Sequence, residues 1–211
     1  WIERAYTENQ LGKHGLAWQS LTAALLHAEP GERATLLNLR ADAAWRNGDD
    51  KDALADKERS IDESIDPADK KDLQLELGEM LLVMGEWEDA SRHFAAALTG
   101  SSHVRWAALM TWCVSARKDL ARADSQLRVD LPDSSLEPGQ TWDAAREGSL
   151  HGTSEDTTAP LEGRSLDDQC TYLFFAAWRS RVQRQAERAC ADLQRCVNTG
   201  RSDLEVWSMA M

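Results

Sequence analysis

Apolar and small residues recur along this chain at helical spacing, and the clearest run lies between Leu73 and Leu98. Leu73, Leu77, Leu81 and Met84 form one stripe, Trp87, Ala90, Phe94 and Leu98 a second, and Gly85 and Glu86 stand between them. Residues three and four apart share a face of an α-helix, so this pattern predicts two amphipathic helices folded back on one another. Gly85 is placed to take the left-handed conformation that ends a helix. Gly78 and Ala90 would let two backbones approach, and Trp87 and Phe94 would fill the space beside them.

The same punctuation occurs twice upstream. Gly12 precedes Ala17, Gly48 precedes Ala53 and Gly85 precedes Ala90, each by five residues, and the glycines are 36 and 37 positions apart. A first hairpin, 1–30, carries Trp1, Ala5, Leu21, Ala24 and Leu25 on its stripes. A second, 34–65, carries Leu37, Ala41, Ala44 and Ile61, with Lys57 where an aromatic residue is expected. The central hairpin is 71–102, preceded by Pro67 and by Asp66 and Asp69, either of which would cap the incoming helix. A fourth, 103–132, has Val104, Ala108, Leu109, Trp112, Leu120, Ala121 and Leu127 at helical spacing. There Ala116 stands for the turn glycine, Ser125 for the aromatic residue, and Pro132 closes the unit.

Beyond Pro132 the composition shifts to Ser, Thr, Gly, Pro and acidic residues, so 133–165 is expected to be an irregular connector with short helices, one around Trp142, Ala145 and Leu150 and another starting at Thr153. A helical cap over 166–211 follows. Ser165-Leu-Asp-Asp resembles a capping box before Tyr172, Leu173, Phe174, Ala177 and Trp178. Ala186, Ala189, Cys190, Leu193 and Val197 mark a partner helix ending near Gly200, and Ser202-Asp-Leu-Glu opens a last one with Trp207 and Met209.

The spacing of Leu77, Gly78, Leu81, Gly85, Trp87, Ala90, Phe94 and Ala97 closely resembles the tetratricopeptide repeat (TPR), although Gln74 stands where that family has tryptophan and Ser102 where it has proline. The last third, with Gly152-Thr-Ser-Glu-Asp, Asp168-Gln-Cys-Thr-Tyr-Leu-Phe-Phe-Ala and Val197-Asn-Thr-Gly, looks like the C-terminal part of NlpI-like TPR lipoproteins; Thr171 departs from the acidic residue expected there. The resemblance implies an all-α chain: an α-solenoid of about four TPR-like hairpins over 1–132, followed by a helical C-terminal cap. The first helix of each pair would then line a concave groove, with Asn38, Asp42 and Trp45, then Leu75, Glu79 and Leu82, then Trp106, Met110 and Cys113. Members that clamp a terminal carboxylate use Lys, Arg and Asn at such positions. Only Asn38 fits, and Asp42, Glu76 and Glu79 would repel an acidic tail. The implied partner is a protein or peptide with basic and apolar residues, held in an acidic and aromatic groove. The NlpI-like likeness implies an envelope adaptor in the bacterial periplasm; without it, the cytoplasm is the expected compartment.

Charge narrows the partners further. A net charge of −12 and a pI near 4.8 argue against nucleic acid and against anionic membrane surfaces, which need clustered Lys and Arg. Abundant Leu, Ala, Arg, Asp and Glu and scarce β-branched residues agree with an all-helical chain. No apolar run reaches the roughly 20 residues that cross a bilayer, so no membrane insertion is expected within this window. Cys113, Cys170, Cys190 and Cys196 form no CxxC pair and are expected to be buried, free thiols. A Cys190–Cys196 bridge is disfavoured, since six residues along a helix do not place two side chains on one face.

HExxH, Gly-x-Ser-x-Gly, a P-loop and a dinucleotide-type glycine run are all missing from the sequence, and the five histidines are dispersed. No catalytic, cofactor-binding or metal-ligating residue is therefore nominated, and the expected role is non-enzymatic. Asp49, Asp50, Asp52, Asp56, Asp62, Glu63 and Asp66 lack the ligand alternation of a calcium loop and read as a solvated helix face. Arg179, Arg181, Arg184 and Arg188 read as a solvated basic face, or as a contact for an acidic partner or a second copy in a homodimer. Besides an adaptor or scaffold, a secretion or assembly chaperone and a TPR accessory domain of a longer sensory or catalytic protein fit the same pattern.

Overall fold

The computed structural model describes residues 1–99, 101, 103–132, 145, 146, 148–150 and 165–200. Among these every regular element is an α-helix and none is a strand, so the fold is all-α. The chain divides into two compact units, Trp1–Val104 and Arg105–Met211.

The first unit contains α1 (Ile2–Gln10), α2 (His14–Leu25), α3 (Arg33–Asn47), α4 (Asp50–Glu63), α5 (Pro67–Met84) and α6 (Trp87–Ala97). Each packs on its neighbour in sequence, from α1 on α2 through to α5 on α6. Ala5, Ala17, Leu21, Ala24, Leu36 and Ala43 form one buried cluster, and Ala44, Ala53 and Met80 another with Trp18, Trp45 and Leu54 against it.

One turn recurs. Gly12, Gly48 and Gly85 have φ of +70°, +83° and +84°, values at which a Cβ is disfavoured. After each, a backbone N–H reaches back five residues: Lys13 to the Glu8 carbonyl at 2.8 Å, Asp49 to Ala44 at 2.9 Å, Glu86 to Leu81 at 2.9 Å. This satisfies a carbonyl that a helix end leaves orphaned. Four residues on, Ala17, Ala53 and Ala90 each start the ladder of the second helix and are 0% exposed. A larger side chain there would separate the two helices. In the third hairpin the close approach is made by Gly78, where a Cβ would lie 2.5 Å from Phe94 Cε1. Asp66, rather than Asp69, caps α5, accepting from Ala68 N at 2.7 Å with Pro67 in the first turn.

The second unit takes in α7 (Val104–Ser115) from Arg105 onward, α8 (Leu120–Asp130), α9 (Leu166–Val182) and α10 (Ala186–Asn198). In this division the hairpin of α7 and α8 groups with α9. Phe175, fully buried, stands edge-on to Trp106 and Trp112 of α7, with ring centroids 6.0 and 6.4 Å away. Trp178 Nε1 donates to the Cys113 carbonyl at 2.8 Å. A Cβ on Gly148, in a short helical stretch, would sit 2.4 Å from the Tyr172 carbonyl oxygen, so that stretch lies directly against α9. Ser165 caps α9 as its sequence suggests, accepting from Asp168 N at 3.2 Å. The helices expected at Trp142, at Thr153 and at Trp207 and Met209 fall wholly or largely outside the described residues.

Two turns depart from expectation. Between α7 and α8 the reversal takes residues 116–119 and uses no positive φ, and Asp119 caps α8 by accepting from Arg122 N at 3.0 Å. The buried pair is therefore the expected Leu127 with Ala123, while Ala121 and Ser125, expected at the alanine and aromatic positions, are exposed. Between α9 and α10 the glycine turn reappears without glycine. Arg184 has φ +62°, Gln185 N reaches the Ser180 carbonyl at 2.8 Å, and Ala189 takes the place of Ala17, Ala53 and Ala90.

These turns should respond to opposite substitutions with opposite signs. Gly85→Ala is expected to cost about 1 kcal/mol and Arg184→Gly to add up to about 1 kcal/mol, because only the first forces a Cβ into the left-handed region. Urea unfolding of the two variants checks this; the same sign for both would refute the assigned turn.

Candidate protein-binding surface

Lys57 falls on the buried stripe of α4, at the position taken by Leu21 in α2 and Phe94 in α6. It is 1% exposed. An ammonium cannot stay there unpaired, because desolvating a charge costs several kcal/mol. Its Nζ donates to Asn38 Oδ1 and Asp42 Oδ1 (3.0 Å) on α3 and to Glu76 Oε2 (2.8 Å) on α5. Burial alone would lower the Lys57 pKa, but Asp42 and Glu76 more than reverse this and hold it above the ordinary lysine value. The side chains of Asp42 and Glu76 remain 48% and 45% exposed, so a buried cation is ringed by carboxylates that open to the surface.

The other junctions of this unit are built similarly. Arg40 of α3 makes two bonds to Asp56 of α4 (2.6 and 2.7 Å), a third to Thr22 Oγ1 of α2 (3.1 Å), and lies 5.4 Å from the Trp18 ring. Arg33 pairs with Glu63 at 2.7 Å and reaches the Leu25 carbonyl at 3.4 Å. Its hydrogen bond, followed by the nearby charges of Arg33 and Arg59, holds the Glu63 carboxyl below its usual range against some desolvation. Asp56 and Glu63 are therefore junction residues, not members of a solvated acidic face.

Beside the Lys57 cluster, α3 and α5 enclose a cleft of about 280 Å³ lined by Thr35, Asn38, Asp69, Asp72, Leu73 and Glu76, among others. Asp72 accepts from Ser101 Oγ, and His103 Nδ1 is 3.6 Å from it. Three of the lining side chains are carboxylates, and α3 contributes the amide of Asn38.

Of the groove residues nominated from sequence, Asn38 and Asp42 meet at Lys57. Trp45 is half-buried against Ala44, Ala53 and Met80, and Glu79 is half-buried on α5. Leu75 and Leu82 are corrected: at 4% and 5% exposure they are core. Trp106, Met110 and Cys113 of α7 are also buried, at 7%, 0% and 0%. The physical reason is that α5 and α7 bury apolar side chains on more than one face, so Leu75 and Leu82 turn inward while the open side of α5 is the polar stripe of Asp69, Asp72, Glu76 and Glu79. Lys57, Asp69 and Asp72 are the additions, and Glu76, already counted among the carboxylates that would repel an acidic tail, meets Asp42 at Lys57. The signal for Lys57 was its place on an apolar stripe, where a lysine needs an anion.

The basic run also changes. Arg179 is 9% exposed and buried in an ion pair, donating to both Asp124 oxygens at 2.9 Å and to the Ser149 carbonyl at 2.8 Å. Arg181 lies over Trp178, Arg184 makes the turn, and Arg188 Nε is 3.9 Å from Asp192. Among the described residues no group of three or more His, Cys, Asp or Glu is placed to hold a metal ion, and no helix is long and apolar enough to cross a membrane. Compared with protein-family models, with curated proteins and with solved structures, the chain matches none.

Lys57→Met should lower unfolding stability by about 2 kcal/mol, less than a fully buried pair would lose because Asp42 and Glu76 can hydrate. The raised pKa fixes a sign as well: the contribution of Lys57 is complete below the unfolded-state lysine value of about 10.4 and disappears as pH rises through the higher folded value. Urea unfolding at neutral pH and at rising pH beyond about 11 should show the wild-type advantage over Lys57→Met shrinking; a constant gap throughout would refute a charged Lys57.

Proposed function

We propose that this chain is a non-enzymatic protein-binding scaffold, with the first unit an α-solenoid of TPR-like hairpins. The cleft between α3 and α5 seats a polypeptide segment that carries Lys or Arg beside apolar residues. The recurrence of one turn at 36- and 37-residue intervals supports the repeat reading. The observation that carries the binding reading is the grouping of Asp69, Asp72 and Glu76 in one cleft, with Asp42 joined to Glu76 through Lys57. A guanidinium or ammonium entering there meets carboxylates and the Asn38 amide, while half-buried Ala34 offers apolar contact. The overall charge of −12 favours approach by the same partner. Half-buried Trp45 lies on α3 as well, and tryptophan supplies much of the contact energy where proteins meet.

The test is fluorescence anisotropy on the full chain with two labelled peptides, one alternating Leu and Lys, the other Leu and Glu. The Lys peptide should bind more tightly, and more weakly as salt rises. Asp69→Lys should reduce that affinity on the order of tenfold. Its cost to stability should stay within the ~0.5 kcal/mol of a reversed charge in the first turn of α5. Equal affinity for both peptides, or no effect of Asp69→Lys, would overturn the reading.

A further inference from the structure

Helices α9 and α10 each place one cysteine in the face between them. Cys170 and Cys196 are both 0% exposed, and their sulfur atoms lie 2.6 Å apart although 26 residues separate them in the chain. The other two cysteines stand apart from this contact: Cys113 is buried in α7, and Cys190 faces solvent on α10. We propose that Cys170 and Cys196 are a disulfide-forming pair that covalently closes the α9–α10 hairpin when the protein meets a disulfide oxidant.

The site is a matched one. The bond would close the very hairpin that reverses at Arg184, the one described non-glycine residue with positive φ. A cross-link across that hairpin restricts its unfolded chain and so offsets the conformational cost of the turn. The oxidant is of the disulfide class, either a low-molecular-weight disulfide or the disulfide of an exchange protein. The thiolate of one cysteine attacks it, forming a mixed disulfide and expelling one thiol. The sulfur of the other cysteine then attacks the mixed disulfide, expelling the second thiol. Two protons leave the protein and two electrons end on the oxidant. Because both sulfurs are buried, a reagent reaches them only when α10 lifts or before the hairpin has closed. The thiol–thiol hydrogen bond and burial also push the Cys196 pKa far up, so the closed, reduced hairpin reacts slowly.

The test uses the full chain carrying Cys190→Ser, which removes the exposed thiol. It is refolded and held with oxidised glutathione, or with dithiothreitol as control, then alkylated in denaturant and mapped by mass spectrometry. The expected result is the loss of two hydrogen masses, a linked peptide pair containing Cys170 and Cys196, and alkylation at Cys113. The oxidised form should melt higher than the reduced form by on the order of 5 °C. That difference should vanish in Cys196→Ala, whose reduced form reports on folding separately. Recovery of both cysteines alkylated after oxidative refolding, or a link from either to Cys113, would overturn the proposal.

Discussion

A lysine ammonium shut away from water must be matched by anions, and the origin of those anions decides how three helices of the first unit sit. Lys57 leaves α4 along an apolar stripe and ends among Asn38 and Asp42 of α3 and Glu76 of α5. It therefore joins the two helices of its own hairpin to the next hairpin. Arg40 does the same one step earlier, tying α3 to α4 and to Thr22 and Trp18 of α2. Apolar stripes and buried alanines make each hairpin, and these polar centres fix how one hairpin meets the next. Buried ion pairs add little net stability over a well-packed apolar contact, but a wrong register leaves a charge stranded at a cost of several kcal/mol.

Within the hairpins, size is traded between facing positions. Where α5 offers Gly78, α6 fills the gap with Phe94, close enough that a Cβ would collide with the ring. At the matching positions of the other two hairpins, Ala41 is paired in register with Lys57 and Ala5 with Leu21, all of them buried. A residue with a Cβ on the first helix thus goes with an unbranched stem or a smaller aliphatic chain on the second. Lys57 is in that sense a side chain of suitable shape whose charged end then had to be satisfied.

Much of this was legible in the sequence, because glycine and alanine act through the backbone. The turns at Gly12, Gly48 and Gly85, the buried Ala17, Ala53 and Ala90, and the Ser165 cap were all open to reading from local spacing, which left Asp66 and Asp69 as equal candidates for the cap of α5. What escaped depends on neighbours that are distant in sequence. The glycine step does not carry over to α7–α8, where a longer turn reverses the chain without a left-handed residue, and nothing in the spacing marked the turn at α9–α10, where Arg184 does glycine's task. Leu75, Leu82, Trp106 and Met110 were assigned to a groove by likeness to repeats whose first helices line a concave side, whereas α5 and α7 turn these side chains into the core. Arg179 resembled a surface charge until Asp124 and Ser149 were seen beside it. Meeting of Cys170 with Cys196 is likewise a property of packed helices that no spacing rule announces.

The proposed binding role inherits its chemistry from the same junction, since Asn38 and Glu76 both hold Lys57 and line the cleft. A client's cation would meet carboxylates already positioned by an internal one. The most direct test of this arrangement is nitrogen-15 NMR of the lysine side chains at neutral pH. A buried, charged and hydrogen-bonded Lys57 should give a separate ammonium resonance that exchanges slowly with water, shows contacts to protons of α3 and α5, and is missing from Lys57→Met. A spectrum in which every lysine ammonium exchanges too fast to be seen, in wild type and variant alike, would contradict it.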